Sequence, residues 1–547
     1  MTLSFTPDLD ADAAAALDRL VADGVAGKIA AQDPTLWGPD AEHEASIRLR
    51  WVGLAESSRP LLAEIDALRA ELAGDGLDRI VLAGMGGSSL APEVIARSAG
   101  VELTVLDTTD PDTIGRALSD RLDRTVLVVS SKSGTTVEPD SLRRRFLAAF
   151  ADAGIDGATR IVVVTDPGSP LADLAEQDGY RKVFLADPNV GGRYSALTAF
   201  GLVPAGLAGA DIAGLLDDAA AIMPALAADD PANPALQLGA ALGAAHAAGR
   251  EKVVLGEGGQ AAATGVVGFP AWTEQLIAES TGKLGKGLLP VDVDSADDAA
   301  PGWAEPSATT TRAAIGATAS ALPHLTTSAP LGALMLLWET AIAVAGRVIG
   351  INPFDQPDVE AAKKAARALL DDPSTGDGLP LAWTEGAVGV YAAPETLRVD
   401  ESDPQNPSGP SLRWLFANLG RLAPDGGYLA LQAYLDRTGA DADAAQLRGL
   451  VTASTDVVTT FGWGPRFLHS TGQYHKGGHP NGAFVQITGN ARRDLPIPDQ
   501  PFTFGQLQLA QAAGDARVLA ERGRPVVRLH LTDRAAGLAQ LLAAARG

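Results

Sequence analysis

Between Asp78 and Asp187 five short apolar runs recur: DRIVLAGMGGSS, ELTVLDT, TVLVVSSKSGTT, RIVVVTDP and RKVFLAD. Each is rich in β-branched residues and breaks off into small or polar ones before a helical pattern begins. Runs this short and this uniformly apolar are strands buried on both faces, which is the habit of a parallel sheet. Their alternation with helical stretches predicts βαβ units with right-handed crossovers. The fold class expected is therefore α/β, doubly wound, with mostly parallel sheets and flanking helices.

The turns that end these strands carry the candidate chemistry. After Val126–Val129 come Ser130, Ser131, Lys132, Ser133, Gly134, Thr135 and Thr136, then a helix through Pro139 and Ser141. Hydroxyls, one glycine and one lysine at a strand's carboxyl end, just before a helix N-terminus, suit an anion such as a phosphate. An ordinary Ser/Thr turn with a helix cap has the same composition. The earlier turn Gly84-Met85-Gly86-Gly87-Ser88-Ser89 nearly opens a dinucleotide fingerprint, and Asp107 sits where a ribose-binding acid belongs. Ser89 stands in place of the third glycine, however, and that reading leaves the Ser/Thr loop unused. A third turn, Asn189 to Ser195, sets Gly191 and Gly192 beside Arg193, whose guanidinium can fork onto oxygens or simply brace the turn.

Elsewhere the chain is read more coarsely. Residues 1–75 read as helices, residues 76–245 as a first lobe, residues 246–375 as a second lobe and residues 376–547 as an α/β extension. The second lobe opens with the strand KVVLGEG, followed by PAWTEQLIAESTGKLGKGLLPV, where Glu279 with Lys283 and Lys286 fits a solvated ion-pair loop. Residues 292–330, polar, Pro- and Thr-containing and low in pattern, read as an excursion. The net charge of −24 over 547 residues argues against nucleic acid, which needs a basic face. Zero cysteines exclude disulfides and thiolate metal sites and suit the cytoplasm. No apolar run looks long enough to cross a membrane, and MTLSFTPDLD carries no secretion signal.

Taken together in this order, GMGGSS, VVSSKSGTTVEP and VGGRYSALTAFGL resemble the sugar-isomerase lobe of the glucose-6-phosphate isomerase family. The resemblance places Gly87, Ser88, Ser131, Lys132, Ser133 and Thr136 around a sugar phosphate, with Glu138 and Gly192 bordering the site and Arg193 beside the sugar carbons. Glu-Ser-x-Gly-Lys at Glu279 falls on that family's catalytic base, with Gln275 on a substrate-side position. Phe354-Asp355-Gln356-Pro357-Asp358, followed by Lys363, is close to its second signature, with Lys363 as active-site lysine and Gln356 as a neighbouring contact. Asp358 departs from it, since glycine is usual there.

The family's histidine normally lies between these two segments. Here the only histidine between Glu279 and Lys363 is His324, which does not match, while Leu468-His469-Ser470-Thr471-Gly472-Gln473 matches far downstream. The order becomes Glu, Lys, His, as if part of the second lobe had been displaced to the C-terminus beside an added unit over 380–460. In the family this histidine comes from a partner subunit, so a homodimer is implied; the reordered chain leaves delivery in cis open as well. His469, His475 and His479 have poor spacing for a metal, and none is expected. The resemblance implies an isomerase of glucose 6-phosphate and fructose 6-phosphate without cofactor. A dual glucose/mannose phosphate isomerase and a non-catalytic phosphosugar sensor are the alternatives.

Overall fold

The computed structural model describes the chain apart from residues 260–264, 305–306, 373–377 and 398–409, so parts of the 292–330 and 380–460 stretches lie outside the described residues. The chain starts with strand β1 (Thr2–Phe5), and helices follow at Pro7–Ala22, Pro39–Arg48 and Pro60–Gly74. The five apolar runs then form β2 (Arg79–Gly84), β3 (Thr104–Leu106), β4 (Thr125–Ser130), β5 (Ile161–Thr165) and β6 (Lys182–Leu185). They make one parallel sheet in the order β3-β2-β4-β5-β6. Every residue of β2, β4 and β5 is buried, as strands covered by helices on both faces must be.

The second sheet contains β7 (Lys252–Glu257), β8 (Leu289–Ser295), β9 (Thr310–Ile315) and β10 (Leu325–Ser328), with β1 added antiparallel at the β10 edge. Two sequence expectations change here. The first 75 residues are not all helical, because β1 pairs with an edge more than 300 residues away, a partner no local pattern reveals. The 292–330 stretch is not a plain excursion either. Its TTRAAI segment forms β9, wholly buried between β7 and β10. Threonine's β-branched body suits a buried strand even though its hydroxyl reads as loop.

The remaining strands are β11 (Leu381–Glu385), β12 (Val388–Ala392), β13 (Tyr428–Tyr434), β14 (Val458–Trp463), β15 (Gly482–Gly489) and β16 (Val526–Leu531). They build a third sheet, β11-β12-β16-β15-β13-β14, in which β16, β15, β13 and β14 run parallel. The downstream histidine segment therefore belongs to a sheet of its own and does not complete the second one. The two units are nevertheless joined by shared core: Val254, Ala278 and Leu289 pack in one cluster with Tyr428, Phe484 and Leu519.

Helix Leu331–Ile349, 19 residues, is long and apolar enough to span a membrane, against the sequence expectation. A helix apolar all round is also what a deep core demands. Here 89% of its apolar window is buried inside the protein, against helices Pro234–Ala247 and Ile212–Leu226.

Candidate active site

In the first sheet β2 and β4 are neighbours, while β3 and β5 lie on opposite sides of them. The connections leaving β2 and β4 thus diverge and open a crevice at the strands' carboxyl ends, where doubly wound folds bind ligands. The Gly84–Ser89 turn leaves β2 and the Ser/Thr loop leaves β4. Gly87 brings the first turn onto the third: a Cβ placed on it would lie 1.9 Å from the Gly192 carbonyl oxygen, so no larger residue fits. Ser88 is buried in the same turn. Gly134 holds a φ of +69°, which lets the β4 loop reverse before helix Val137–Asp152 begins.

This loop forms one wall of a cleft of about 1060 Å³. Ser131, Ser133, Thr136, Glu138, Lys363 and His469 all line it, drawn from three separate parts of the chain. Ser131 Oγ donates to Thr136 Oγ1 at 3.1 Å, and the Ser133 and Thr135 hydroxyls lie 3.0 Å apart. Lys132 goes elsewhere. Its Nζ sits 2.5 Å from Asp166 at the end of β5 and 3.3 Å from the Pro188 carbonyl. The cations that line the cleft lie instead on helix Val359–Asp371: Lys364, Arg367 and the half-exposed Lys363, whose Nζ is 2.8 Å from Glu360.

His469 ends a short turn, Arg466–His469, that follows β14. Its Nε2 lies 3.0 Å from Glu138 Oε1, and Gln511 Nε2 donates to the same oxygen at 2.7 Å. Burial alone raises a carboxyl pKa; the His469 imidazole and its hydrogen bond, helped by Lys363, outweigh it and hold Glu138 below the ordinary carboxylate value. Gln511 was missed by sequence reasoning. It lies on helix Phe504–Glu521, and only tertiary folding brings it to Glu138 and to the Thr109 hydroxyl, 2.8 Å from its Oε1.

The second group centres on Glu279, near the end of helix Phe269–Thr281 that follows β7. Arg193 is fixed by four groups: Nε donates to Ser280 Oγ at 2.9 Å, Nη1 to Gln356 Oε1 at 2.7 Å, and Nη2 to the carbonyls of Pro353 and Asp355 at 2.5 and 3.0 Å. Its Nη1 also lies 3.5 Å from Glu279 Oε2. Burial pushes the Glu279 carboxyl pKa up, and Arg193 and Gln275 only partly reverse this. Lys283 beside it is pushed down to about 8 by burial and by Arg193. It donates to Asp355 Oδ1 at 2.7 Å rather than to solvent.

Gln275 links the two groups. Its Nε2 reaches Glu279 Oε2 at 3.4 Å and the His469 carbonyl at 3.0 Å. One chain therefore gathers a hydroxyl-rich loop at a helix N-terminus, a carboxylate–imidazole pair, a lysine, a buried carboxyl of raised proton affinity and an immobilised arginine. Such a set can hold a phosphorylated substrate by one end and move protons at the other.

The rival uses of these residues are otherwise engaged. Asp107 accepts from Arg466 Nη1 at 2.6 Å and lies 3.5 Å from Arg437, so an ion pair engages the carboxylate that the rival dinucleotide reading would give to a ribose. The three histidines diverge: His469 faces Glu138, His475 Nδ1 lies 3.3 Å from Gln432, and His479 lies against Glu251.

No protein-family model matches the chain. Among curated proteins it is 29% identical over 398 residues to a glucose-6-phosphate isomerase of Synechococcus sp. strain JA-3-3Ab, covering 61% of this chain and 74% of that protein. It is 30% identical to the probable glucose-6-phosphate isomerase of Natronomonas pharaonis (60% of this chain, 87% of the relative). It is also 30% identical to the glucose-6-phosphate isomerase of Symbiobacterium thermophilum (59% and 87%). Among solved structures, a hypothetical protein of Thermus thermophilus superposes with TM-score 0.56 at 25% identity, over 68% of this chain and all of the other. A glucose-6-phosphate isomerase from Chlamydia trachomatis shares the fold at TM-score 0.50 and 22% identity, over 63% and 78%. With two relatives at 30% identity each matched over 87% of their length, the chain belongs to the glucose-6-phosphate isomerase family.

Proposed function

We propose that the protein interconverts glucose 6-phosphate and fructose 6-phosphate by proton transfer through a cis-enediolate. The observation that supports this most directly is the pairing of a buried, proton-avid Glu279 with a fixed Arg193, one hydrogen-bonded step from His469. The phosphate end binds against Ser131, Ser133, Thr136 and the N-terminus of helix Val137–Asp152, with Ser88 as a further donor. Lys132, paired with Asp166, acts on that end only through the field.

His469, oriented by Glu138, and Lys363 move a proton between the ring oxygen and O1, which opens the ring. Glu279 then takes the proton from C2 and returns it to C1. Negative charge on the enediolate oxygens develops beside Arg193, whose guanidinium is already immobilised and needs no reorganisation. Binding the remote phosphate holds the reacting carbons in place for both steps. Every group in this scheme comes from one chain, which favours His469 acting in cis even if the protein is a homodimer. A cytoplasmic location follows from the same metabolic reading.

A coupled assay on purified protein, run with glucose 6-phosphate, fructose 6-phosphate and mannose 6-phosphate, tests the activity and reads the epimer choice. Glu279→Gln should retain sugar-phosphate binding and lose about 10²–10⁴-fold in kcat, the usual contribution of a positioned base. Near-normal turnover in that variant overturns the assignment.

A further inference from the structure

Asp358 is the one position where the second signature departs from its family pattern, and its side chain behaves unusually. It stands at the N-cap of helix Val359–Asp371, where an aspartate ordinarily bonds the helix's own free amides. Here the carboxylate makes no such bond. It turns to the third unit instead: Gln473 Nε2 donates to Oδ2 at 2.8 Å, and Arg522 Nη1 donates to Oδ1 at 2.7 Å. The Asp358 amide in turn donates to Gln473 Oε1 at 3.0 Å, so the two residues are joined twice.

The junction has a third member. Gln473 is fully buried, and its Nε2 also donates to the Gly282 carbonyl at 2.8 Å, three residues beyond Glu279. Arg522 closes the other side by donating to the Lys476 carbonyl at 2.7 Å. Gly477 makes the approach possible, since a Cβ there would lie 2.2 Å from Asp358 Oδ2. Its carbonyl accepts from the Gly285 amide at 2.9 Å. Three segments are pinned at one point: those of Glu279, Lys363 and His469, each about one helical turn from its active residue. Asp358 itself does not line the cleft.

We infer that Asp358, Gln473 and Arg522 form a latch that positions Lys363 and His469 relative to Glu279, and that the carboxylate at 358 is this chain's provision for receiving its histidine segment from the far C-terminus. Asp358 is a positioning residue: it acts on ring opening through the helix of Lys363 and the turn of His469. The inference deepens the isomerase reading and rests on it.

The full-length protein tests it by steady-state kinetics and by hydrogen exchange. Asp358→Gly, the family's usual residue, should lower kcat about tenfold with KM within about twofold, because the phosphate loop is untouched. Gln473→Ala should cause a similar loss, and the double variant should be no worse than the poorer single, since both break one junction. Asp358→Asn keeps an acceptor for Arg522 and should recover a substantial part of kcat; it also reads the latch should the glycine variant fold poorly. Amides of Tyr474–Gly478 should exchange at least about tenfold faster in Asp358→Gly, a readout independent of turnover. Unchanged kcat and unchanged exchange, or losses that multiply in the double variant, overturn the latch. An inactive wild-type protein overturns the isomerase reading instead, and the exchange experiment then still decides the junction.

Discussion

A base that removes a carbon-bound proton works best when its proton affinity approaches the working pH, and burial pushes the Glu279 carboxyl in that direction, as the proposed role requires. The same surroundings carry a penalty. A carboxyl whose pKa is raised on folding stabilises the native state below its unfolded pKa, and that contribution is lost as pH rises through the folded value. Once ionised, Glu279 is a buried charge, with Arg193 3.5 Å away as partial compensation. Glu279→Gln removes the charge and keeps the shape, so the inactive variant should melt higher than wild type at pH 7–8. The difference should vanish near pH 4, where the wild-type carboxyl is also neutral. Equal melting curves at both pH values would show that burial is not what tunes this group. At the same scale, the cleft-lining Ser131, Ser133 and Thr136 were legible as candidates because they sit in a turn of recognisable chemistry, whereas Glu138, in the helix that follows, was a candidate only through the family resemblance. The sequence hid Gln511 and the capture of Lys132 by Asp166, because those partners lie on other strands and helices and no spacing rule reaches them.

Elements with unbroken apolar pattern were legible, and those stabilised by distant partners were not. β2, β4 and β5 were readable as buried strands. β9 was concealed by its threonines and its arginine, and β1 by pairing with the distant β10. The turn Arg466–His469 belongs with the hidden class, because its anchoring is electrostatic and non-local. Arg466 reaches Asp107 at the end of β3 at 2.6 Å and Glu93 on helix Leu90–Ala99 at 2.5 Å, and Arg437 adds a second cation to Glu93 at 2.9 Å. Burial raises the Glu93 carboxyl, but the two guanidiniums overcome this and keep it strongly acidic. Breaking one side of such a buried network leaves an uncompensated charge, which costs about 3–5 kcal/mol. Arg466→Met should therefore lose stability in that range by urea unfolding, and should lower kcat as well, since His469 is three residues away. Adding Asp107→Asn and Glu93→Gln should restore much of the stability but not the activity. Recovery of both would mean that the network holds the fold together without aiming the histidine.

At the scale of the whole molecule, the units built on the three mostly parallel sheets each contribute residues to the proposed site. The first supplies the Ser/Thr loop, Glu138 and Arg193; the second supplies Gln275 and Glu279; the third supplies His469 and Gln511. The Lys363 helix packs on the third unit, so tightly against helix Phe504–Glu521 that a Cβ at Gly514 would lie 2.6 Å from the Ala366 amide nitrogen. The sequence showed that His469 comes late in the chain but not which copy it serves, because chain order does not fix connectivity in space. The geometry favours its own copy: its imidazole meets Glu138 and its carbonyl meets Gln275 of the same chain. Mixing Glu279→Gln with His469→Ala protein, after partial unfolding and refolding to exchange subunits, tests this directly. With a histidine acting in cis, every chain in the mixture lacks one essential group, so activity should stay at the sum of the two separate variants. With a histidine acting across a dimer, half of randomly paired molecules are mixed and each has one intact site, so about a quarter of the wild-type activity should return. That recovery would sink the one-chain site and make Glu138–His469 a contact that a dimer replaces with its swapped equivalent.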